Sequence, residues 1–137
     1  MGELYRDGRL VTTAAVAVRE GRYFLARRKE EGAQPLRWEF PGGKCDEDCS
    51  EPECLEREFQ EEFGVRISVG EELGSVRFEH GNTRYMLVGY RVEIPREPLE
   101  LREHLDSGWF TPEEVLRLDL ADSDRRLVEF IFSGNTP

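Results

Sequence analysis

The segment that decides the fold is GGKCDEDCSEPECLEREFQEEFGV, residues 42–65. Two glycines lead through an acidic turn into a run whose apolar residues have helical spacing. Ser50 and Glu53 form an S-x-x-E capping box at the start of this run, and Gly64 is a typical C-terminal stop. The pattern therefore predicts a helix over about residues 51–63.

The predicted helix carries a group of carboxylates beside its apolar stripe, which consists of Leu55, Phe59 and Phe63. At about 100° per residue, Glu58 and Glu62 fall at the margin of that stripe. Carboxylates near apolar side chains cost free energy unless they have partners, and like charges four residues apart destabilise a helix. A hard divalent cation such as Mg²⁺ removes both costs, because it binds carboxylate oxygens and keeps water ligands that phosphates replace. A metal site is predicted here, and a solvated acidic face is the alternative.

The composition is that of a polar-surfaced globular protein, with 38% hydrophobic and 35% charged residues in 137. The formal net charge of -10 argues against a nucleic-acid interface, although a metal and a few arginines would admit a small anionic substrate. No apolar run approaches the roughly 20 residues that span a bilayer, and the first residues lack the apolar core of a signal peptide. These features predict one cytoplasmic domain, residues 1–137, with no nucleic-acid or membrane partner.

Three cysteines lie close together in the same segment: Cys45, Cys49 and Cys54. Their C-x3-C-x4-C spacing fits no usual zinc pattern, and no companion pair follows downstream. We therefore expect free thiols without a chemical role, as in a reduced, cytosolic protein.

The rest of the chain alternates β-prone and helical segments. Strands are predicted at residues 11–18, 22–28, 38–40, 67–69, 73–79, 83–94 and 108–110, with a hairpin turn at His80-Gly81-Asn82. Thr111 begins a short helical turn with a second capping box. Asp122-Ser123 is expected to cap a final helix whose inward side chains are Leu127, Val128 and Ile131. Helices packed on a mixed sheet in one α/β domain are the predicted architecture.

Residues 43–65 resemble the Nudix hydrolase box, G-x5-E-x7-R-E-U-x-E-E-x-G-U with U apolar. Every fixed position matches except the first glutamate, where the chain has Cys49. The W-E-F-P-G-G lead-in at residues 38–43 and Glu103, six residues before Trp109, further resemble the MutT-like branch. The resemblance implies the Nudix fold, an α/β (α+β) architecture in which a mixed β-sheet is sandwiched between helices.

The resemblance also implies a chemistry, the attack of water on a phosphorus that converts a nucleoside triphosphate to the monophosphate and pyrophosphate. The implied ligands of Mg²⁺ or Mn²⁺ are the Gly42 carbonyl oxygen, Glu58, Glu61, Glu62 and Glu103. Glu58 is the expected general base, although Glu103 has that role in some relatives. Arg57 would act with Glu58 and Glu61 by orienting the carboxylates, and a surface pair with Glu53 or Glu61 is its alternative.

The implied substrate-binding residues are Arg28, Glu39, Phe40, Phe78 and Asp124. Arg28 would contact phosphate, Phe78 would stack on the base, and Asp124 would read the base edge. An aspartate accepts hydrogen bonds, which favours base edges with N–H donors, such as those of cytosine or guanine. Alternatively, Arg28 is an ordinary exposed arginine and Asp124 merely caps the last helix.

The leading hypothesis is a metal-dependent nucleoside triphosphate pyrophosphohydrolase for pyrimidine or oxidised purine nucleotides, as a monomer or homodimer. The alternatives are a Nudix hydrolase of ADP-ribose or dinucleoside polyphosphates and a non-catalytic nucleotide-binding Nudix module. Cys49 predicts reduced rather than abolished activity. The carboxylates considered as substitutes for the missing glutamate are Glu47, Asp48 and Glu51, and a thiolate that recruits a softer metal is the other possibility.

Overall fold

The computed structural model describes residues 2–133 of the chain. The strands are β1 (Tyr5–Arg6), β2 (Arg9–Arg19), β3 (Arg22–Arg28), β4 (Trp38–Glu39), β5 (Gly42–Lys44), β6 (Ser68–His80), β7 (Thr83–Glu93) and β8 (His104–Phe110). The helices are α1 (Glu51–Phe63), α2 (Pro112–Arg117) and α3 (Asp122–Phe132). None of the helices within residues 2–133 has the length and apolar character required to cross a membrane.

Strand β2 is the centre of a mixed sheet. It pairs in parallel with β7, from Leu10 opposite Tyr85 to Ala17 opposite Val92, and β7 pairs antiparallel with β6. Along its other side β2 meets β1, β5 and β3 in turn, and β3 also pairs with β4 and β8. In the order β4-β3-β2-β7-β6, the W-E-F-P-G-G lead-in runs from β4, at the end of the order, to β5, which pairs with the central strand β2.

Side chains on these strands alternate between two hydrophobic cores, one on each face of the sheet. The core on the α1 face contains Val11, Ala15, Phe24, Met86, Val88, Leu55, Phe59 and Phe63 among others. The core on the α2 and α3 face contains Ala14, Val16, Leu25, Leu87, Val115, Leu127 and Val128. Period-two alternation places neighbouring residues of one strand on opposite faces. The sheet is thus sandwiched between helices, as predicted.

Helix α1 has the ends that the sequence predicts. The Ser50 side chain accepts a hydrogen bond from the Glu53 N–H at 3.2 Å, and the Glu53 carboxylate accepts one from the Ser50 N–H at 2.9 Å. Gly64 ends the helix with φ 77°, a left-handed conformation that glycine adopts without a Cβ clash. The apolar stripe has no exposed surface: Leu55, Phe59 and Phe63. Burial of this stripe fixes the rotation of α1 and hence the direction of its glutamates.

The predicted hairpin of β6 and β7 forms, with different boundaries. β6 is one strand of 13 residues rather than two, and irregularities of register in its first half join the two predicted segments. The turn consists of Gly81 and Asn82 alone, because His80 pairs with Thr83. Strand β8 begins at His104 rather than Gly108, since its earlier residues also pair with β3.

The start of α3 also differs from the prediction. Its N-cap is Ala121, which makes no side-chain cap, so the predicted Asp122-Ser123 cap is wrong. The Asp122 N–H instead donates to Gln34 Oε1 at 2.8 Å. Helix α3 is therefore capped by the loop between β3 and β4. The predicted inward residues Leu127 and Val128 are buried, whereas Ile131 is only partly buried: it packs at the edge of the core.

Candidate active site

Six glutamates line one cleft of about 700 Å³, and one of them, Glu31, belongs to the loop between β3 and β4. Three of them come from successive turns of α1, one directly precedes β8 and one ends β4: Glu58, Glu61, Glu62, Glu103 and Glu39. The buried stripe of α1 turns its three glutamates toward β4 and the loop before β8. The structure thus brings the four predicted glutamate ligands together.

The negative charges in this cleft oppose one another. Burial, reinforced by the charges of Glu39, Glu58 and Glu103, raises the pKa of Glu62 to about 9. Burial and the neighbouring Glu61 also raise the pKa of Glu58. Among the described residues, Oε1 of Glu62 is a buried oxygen without a hydrogen-bond partner. A cation in the cleft would relieve both the repulsion and this missing partner.

The donor set of the cleft fits a hard divalent ion. The residues that line it offer carboxylate oxygens from six glutamates, and carboxylate oxygens are the ligands that Mg²⁺ and Mn²⁺ prefer. His104 is the other metal-binding side chain on this wall, but its Nε2 already lies 2.8 Å from Oε2 of Glu39. The unpartnered Glu62 oxygen therefore lies among other carboxylate oxygens, a set of ligands that suits Mg²⁺ or Mn²⁺.

The two glycines of β5 are required by close packing. A Cβ on Gly43 would lie 2.6 Å from Oε1 and 2.9 Å from Cδ of Glu58. A Cβ on Gly42 would overlap the Thr13 carbonyl oxygen, because β5 lies against β2. Gly42 therefore allows the sheet to form, and Gly43 leaves the space that the Glu58 carboxylate fills.

A polar network forms the boundary of the cleft. Arg28 Nε donates to Oε1 of Glu39 at 2.6 Å, and His104 Nε2 lies 2.8 Å from Oε2 of the same carboxylate. The His104 ring is stacked on Phe63, with ring centroids 5.3 Å apart. Arg28 is therefore a partner of Glu39 and not a free surface arginine. Sequence reasoning missed His104, whose only signal was its place next to Glu103.

A second cavity of about 400 Å³ adjoins the cleft and shares Arg28 and Glu39 with it. Phe78 and Tyr85 face each other across the β6–β7 hairpin and stack with centroids 4.8 Å apart, giving the cavity an aromatic wall. The cavity is also lined by three further residues that the sequence singled out: Phe40, Gly42 and Asp124. Gly42 therefore lies along this second cavity, whereas the glutamates with which it was grouped line the cleft.

Asp124 is the buried acid of the second cavity, with 4% of its surface exposed. Its Oδ1 accepts a hydrogen bond from the Phe40 N–H at 2.9 Å. Burial, with a further contribution from the Glu39 charge, raises the pKa of Asp124 to about 8. The shift favours the protonated carboxyl, a form that can donate a hydrogen bond as well as accept one. The N-cap of α3 is Ala121, so the interpretation of Asp124 as a helix cap is wrong.

Arg57 lies beside the turn before α1 and not on the wall of the cleft. Its Nη2 is 3.2 Å from Oδ2 of Asp46, and its Nη1 is 3.5 Å from Sγ of Cys49. Among the described residues Arg57 makes no ion pair with Glu53 or Glu61. The guanidinium therefore ties the middle of α1, next to Glu58, to the turn that precedes the helix.

Asp46 is the carboxylate that accompanies Arg57 where the family pattern has its first glutamate. The sequence named three other candidates. Glu47 instead accepts a hydrogen bond from the Gly2 N–H, and Glu51 binds Arg6 and Tyr90. Asp48 is exposed and contacts Asp46 only through its backbone N–H. Among the described contacts none of these three carboxylates pairs with Arg57, because the chain turns at residues 46–49 and presents Asp46 instead.

The arrangement combines two adjoining environments. The cleft gathers carboxylates around a space for cations, and the second cavity offers an aromatic wall with a buried carboxyl. Arg28 lies where the two meet and carries positive charge. Such a site can hold metal ions with a phosphate chain on one side and a planar ring on the other.

Comparison with known proteins identifies the family. The family model described as NUDIX domain matches residues 8–131. The CTP pyrophosphohydrolase of Escherichia coli (strain K12) is 36% identical over 116 residues, covering 85% of this chain and 86% of that protein. A Mycobacterium tuberculosis protein named "Putative 8-oxo-dGTP diphosphatase 2" is 30% identical over 118 residues, covering 84% of this chain and 82% of that protein. The crystal structure of a MutT protein from Methanosarcina mazei Go1 matches with TM-score 0.82 and 25% identity, over 98% of this chain and 100% of that chain. The chain belongs to the Nudix family and is a Nudix hydrolase that acts on nucleotide derivatives.

Proposed function

We propose that the enzyme hydrolyses a nucleoside triphosphate to the monophosphate and pyrophosphate, with Mg²⁺ or Mn²⁺ as cofactor. The observation that carries this proposal is the junction of the carboxylate cleft with the second cavity at Arg28 and Glu39. A triphosphate would lie in the cleft while its base enters the cavity. The similarity to the Escherichia coli CTP pyrophosphohydrolase, a protein of similar length, supports the same reaction.

Nudix hydrolases generally use divalent metals, and the oxygen-rich cleft suits them. The proposed ligands are Glu58, Glu61, Glu62, Glu103 and the Gly42 carbonyl oxygen. When bound, such an ion supplies charge neutralisation at the phosphate oxygens and lowers the pKa of coordinated water. The missing partner of Glu62 Oε1 is the observation that supports this assignment most directly.

The other steps belong to side chains of the chain. Glu58 takes the proton of the attacking water, a role supported by its raised pKa and by the packing of Gly43 that fixes its carboxylate. Glu103, exposed at the mouth of the cleft, is the alternative base. Arg28 binds a phosphate oxygen while Glu39 orients its guanidinium. Arg57 positions its neighbour Glu58 by tying the middle of α1 to Asp46, in the turn before the helix.

The base would stack on the aromatic wall formed by Phe78 and Tyr85. A neutral Asp124 carboxyl, which both donates and accepts, matches the N3 acceptor and the amino donor of cytosine. The raised pKa of Asp124 supports this neutral form rather than the ionised, acceptor-only aspartate expected from the sequence. We therefore propose cytosine nucleotides as the preferred substrates.

The test of the reaction compares Glu58→Gln with Glu56→Gln, a matched change two residues earlier on the same helix and outside the cleft. We expect Glu58→Gln to lower kcat by roughly 100-fold or more, because it removes the proposed base and a metal ligand. Glu56→Gln should retain the parent rate. Pyrophosphate and the monophosphate, quantified by ion-exchange chromatography from CTP with Mg²⁺, must appear in equal amounts. Equal rates for the two variants, or release of orthophosphate alone, would refute the proposal.

The test of base recognition uses Asp124→Ala and Asp124→Asn, with the exposed Glu129→Gln on the same helix as control. Asn keeps one donor and one acceptor, so we expect it to bind cytosine nucleotides far better than Ala does. The loss in kcat/KM for Ala should be about 10- to 100-fold for CTP, since a buried hydrogen bond to the base is lost. A loss that is equal for CTP, UTP, GTP and 8-oxo-dGTP would exclude Asp124 from base recognition.

A further inference from the structure

The turn before α1 gathers two thiols and a carboxylate outside the cleft. Sγ of Cys49, Sγ of Cys54 and a carboxylate oxygen of Asp46 all lie within 4.8 Å of one another. Cys49 immediately precedes the N-cap of α1, and Cys54 is the fourth residue of the helix. Apolar side chains at these two positions pack together in the hydrophobic staple at a helix start, which explains why the two sulfurs meet.

The positively charged side chain of Arg57 lies on the outer side of this cluster. The Arg57 guanidinium contacts both Asp46, at 3.2 Å, and Cys49, at 3.5 Å. Cys54 is fully buried, whereas Asp46 and Cys49 are partly exposed, so an ion from solvent would reach the cluster from the side on which Arg57 lies. Two of the three side chains are therefore arranged to face positive charge.

We propose that Asp46, Cys49 and Cys54 form a second metal site, which takes a thiophilic divalent ion of the zinc class in place of the Arg57 guanidinium. At one tetrahedral zinc, two sulfurs lie roughly 3.8 Å apart and a sulfur and an oxygen roughly 3.5 Å apart, so no pair needs to close by more than about 1.3 Å. Water completes the four ligands at the exposed side. The two thiol protons leave to solvent as the sulfurs become thiolates, and no electron is transferred.

This site differs from the cleft in its chemistry. Thiolates select soft ions, while the glutamates of the cleft select Mg²⁺ or Mn²⁺, so excess Mg²⁺ would leave the thiol site free. The spacing of the cysteines alone does not predict it, because the third ligand is a carboxylate brought in by the turn. The inference does not depend on the reaction proposed above, since its readout is metal binding.

The experiment titrates Zn²⁺ and Co²⁺ into the reduced full chain in excess Mg²⁺. Zn²⁺ affinity is measured by competition with a chromophoric chelator, and Co²⁺ reports thiolate ligation through its near-ultraviolet charge-transfer band. We expect one equivalent of bound ion and a cobalt–thiolate band. Cys49→Ser should abolish that band and weaken Zn²⁺ binding by about tenfold or more, and Asp46→Asn should also weaken it. Asp48→Asn, the matched exposed neighbour, should change neither.

Arg57→Gln should change the Zn²⁺ affinity in the opposite direction, so it separates the proposal from misfolding of the variants. Removing the competing guanidinium should tighten Zn²⁺ binding, a gain that a damaged protein does not produce. The proposal is overturned if the parent shows no cobalt–thiolate band, or if Cys49→Ser binds Zn²⁺ as tightly as the parent. It is also overturned if Arg57→Gln weakens binding.

Discussion

The packing of Gly43 against Glu58 predicts a separation of activity from stability. In Gly43→Ala the new Cβ would lie 2.6 Å from Oε1 of Glu58, whereas ordinary contact begins at 3.4 Å. The carboxylate must therefore withdraw by the difference, 0.8 Å. A misplacement of about 1 Å at a catalytic group can lower a rate by roughly 100-fold. We expect kcat to fall about 10- to 100-fold.

The folded state of Gly43→Ala should survive, because the clash is with the flexible end of a side chain. We expect its free energy of unfolding to change by less than about 1 kcal/mol. Gly42→Ala is the matched control with the opposite outcome. The new Cβ would overlap the backbone oxygen of Thr13 in the central strand, and neither strand can move away. The free energy of unfolding of Gly42→Ala should therefore fall by about 3 kcal/mol or more.

The assay for this pair is steady-state CTP hydrolysis with Mg²⁺, together with urea unfolding followed by tryptophan fluorescence. Gly43→Ala should keep the parent unfolding midpoint while it loses turnover. The reasoning fails if Gly43→Ala retains kcat within about twofold, or if it is destabilised as much as Gly42→Ala.

Three further outcomes follow from contacts described above. The folded-state pKa of Glu62, about 9, exceeds its ordinary value of 4.5, so stability present at low pH is lost as the pH rises through 9. In EDTA, the melting temperature of Glu62→Gln should therefore exceed that of the parent by little near pH 5 and by about 5 °C near pH 9. An equal increase at both pH values would contradict the assignment. Gln34→Ala removes the acceptor for the Asp122 N–H and should lower the free energy of unfolding in urea by about 1 kcal/mol. An unchanged free energy of unfolding would show that water replaces this cap. Cys49→Glu gives Arg57 the carboxylate of the family pattern and should raise kcat roughly fivefold. If neither kcat nor the preference between Mg²⁺ and Mn²⁺ changes, residue 49 has no catalytic role.

Helix α1 could be predicted from the sequence because its signals are local. The capping box, the Gly64 stop and the apolar stripe all lie within the helix or next to it, and each is found in the structure. The same local rule placed Glu58 and Glu62 at the margin of the buried face, where both line the cleft.

The errors concern contacts between residues far apart in the chain. The cap of α3 comes from Gln34, 88 positions before Asp122, and no local pattern announces it. His104 enters the site because β8 pairs with β3 along its whole length, which a sequence with weak alternation in residues 104–107 does not reveal. The role of Asp46 depends on how the turn of residues 46–49 folds back toward α1, and the carboxylates considered from the sequence were its neighbours Glu47, Asp48 and Glu51.

The parallel pairing of β2 with β7 has a consequence for synthesis on the ribosome. Leu10 and Tyr85 are partners although 75 positions separate them, so the first long strand emerges well before its neighbour exists. Until residue 93 has left the exit tunnel, this edge of β2 lacks its partner strand β7, and only nearby hairpins can form. Closing so long a loop has a high entropic cost, so the pairing of β2 with β7 should form later than the local hairpins.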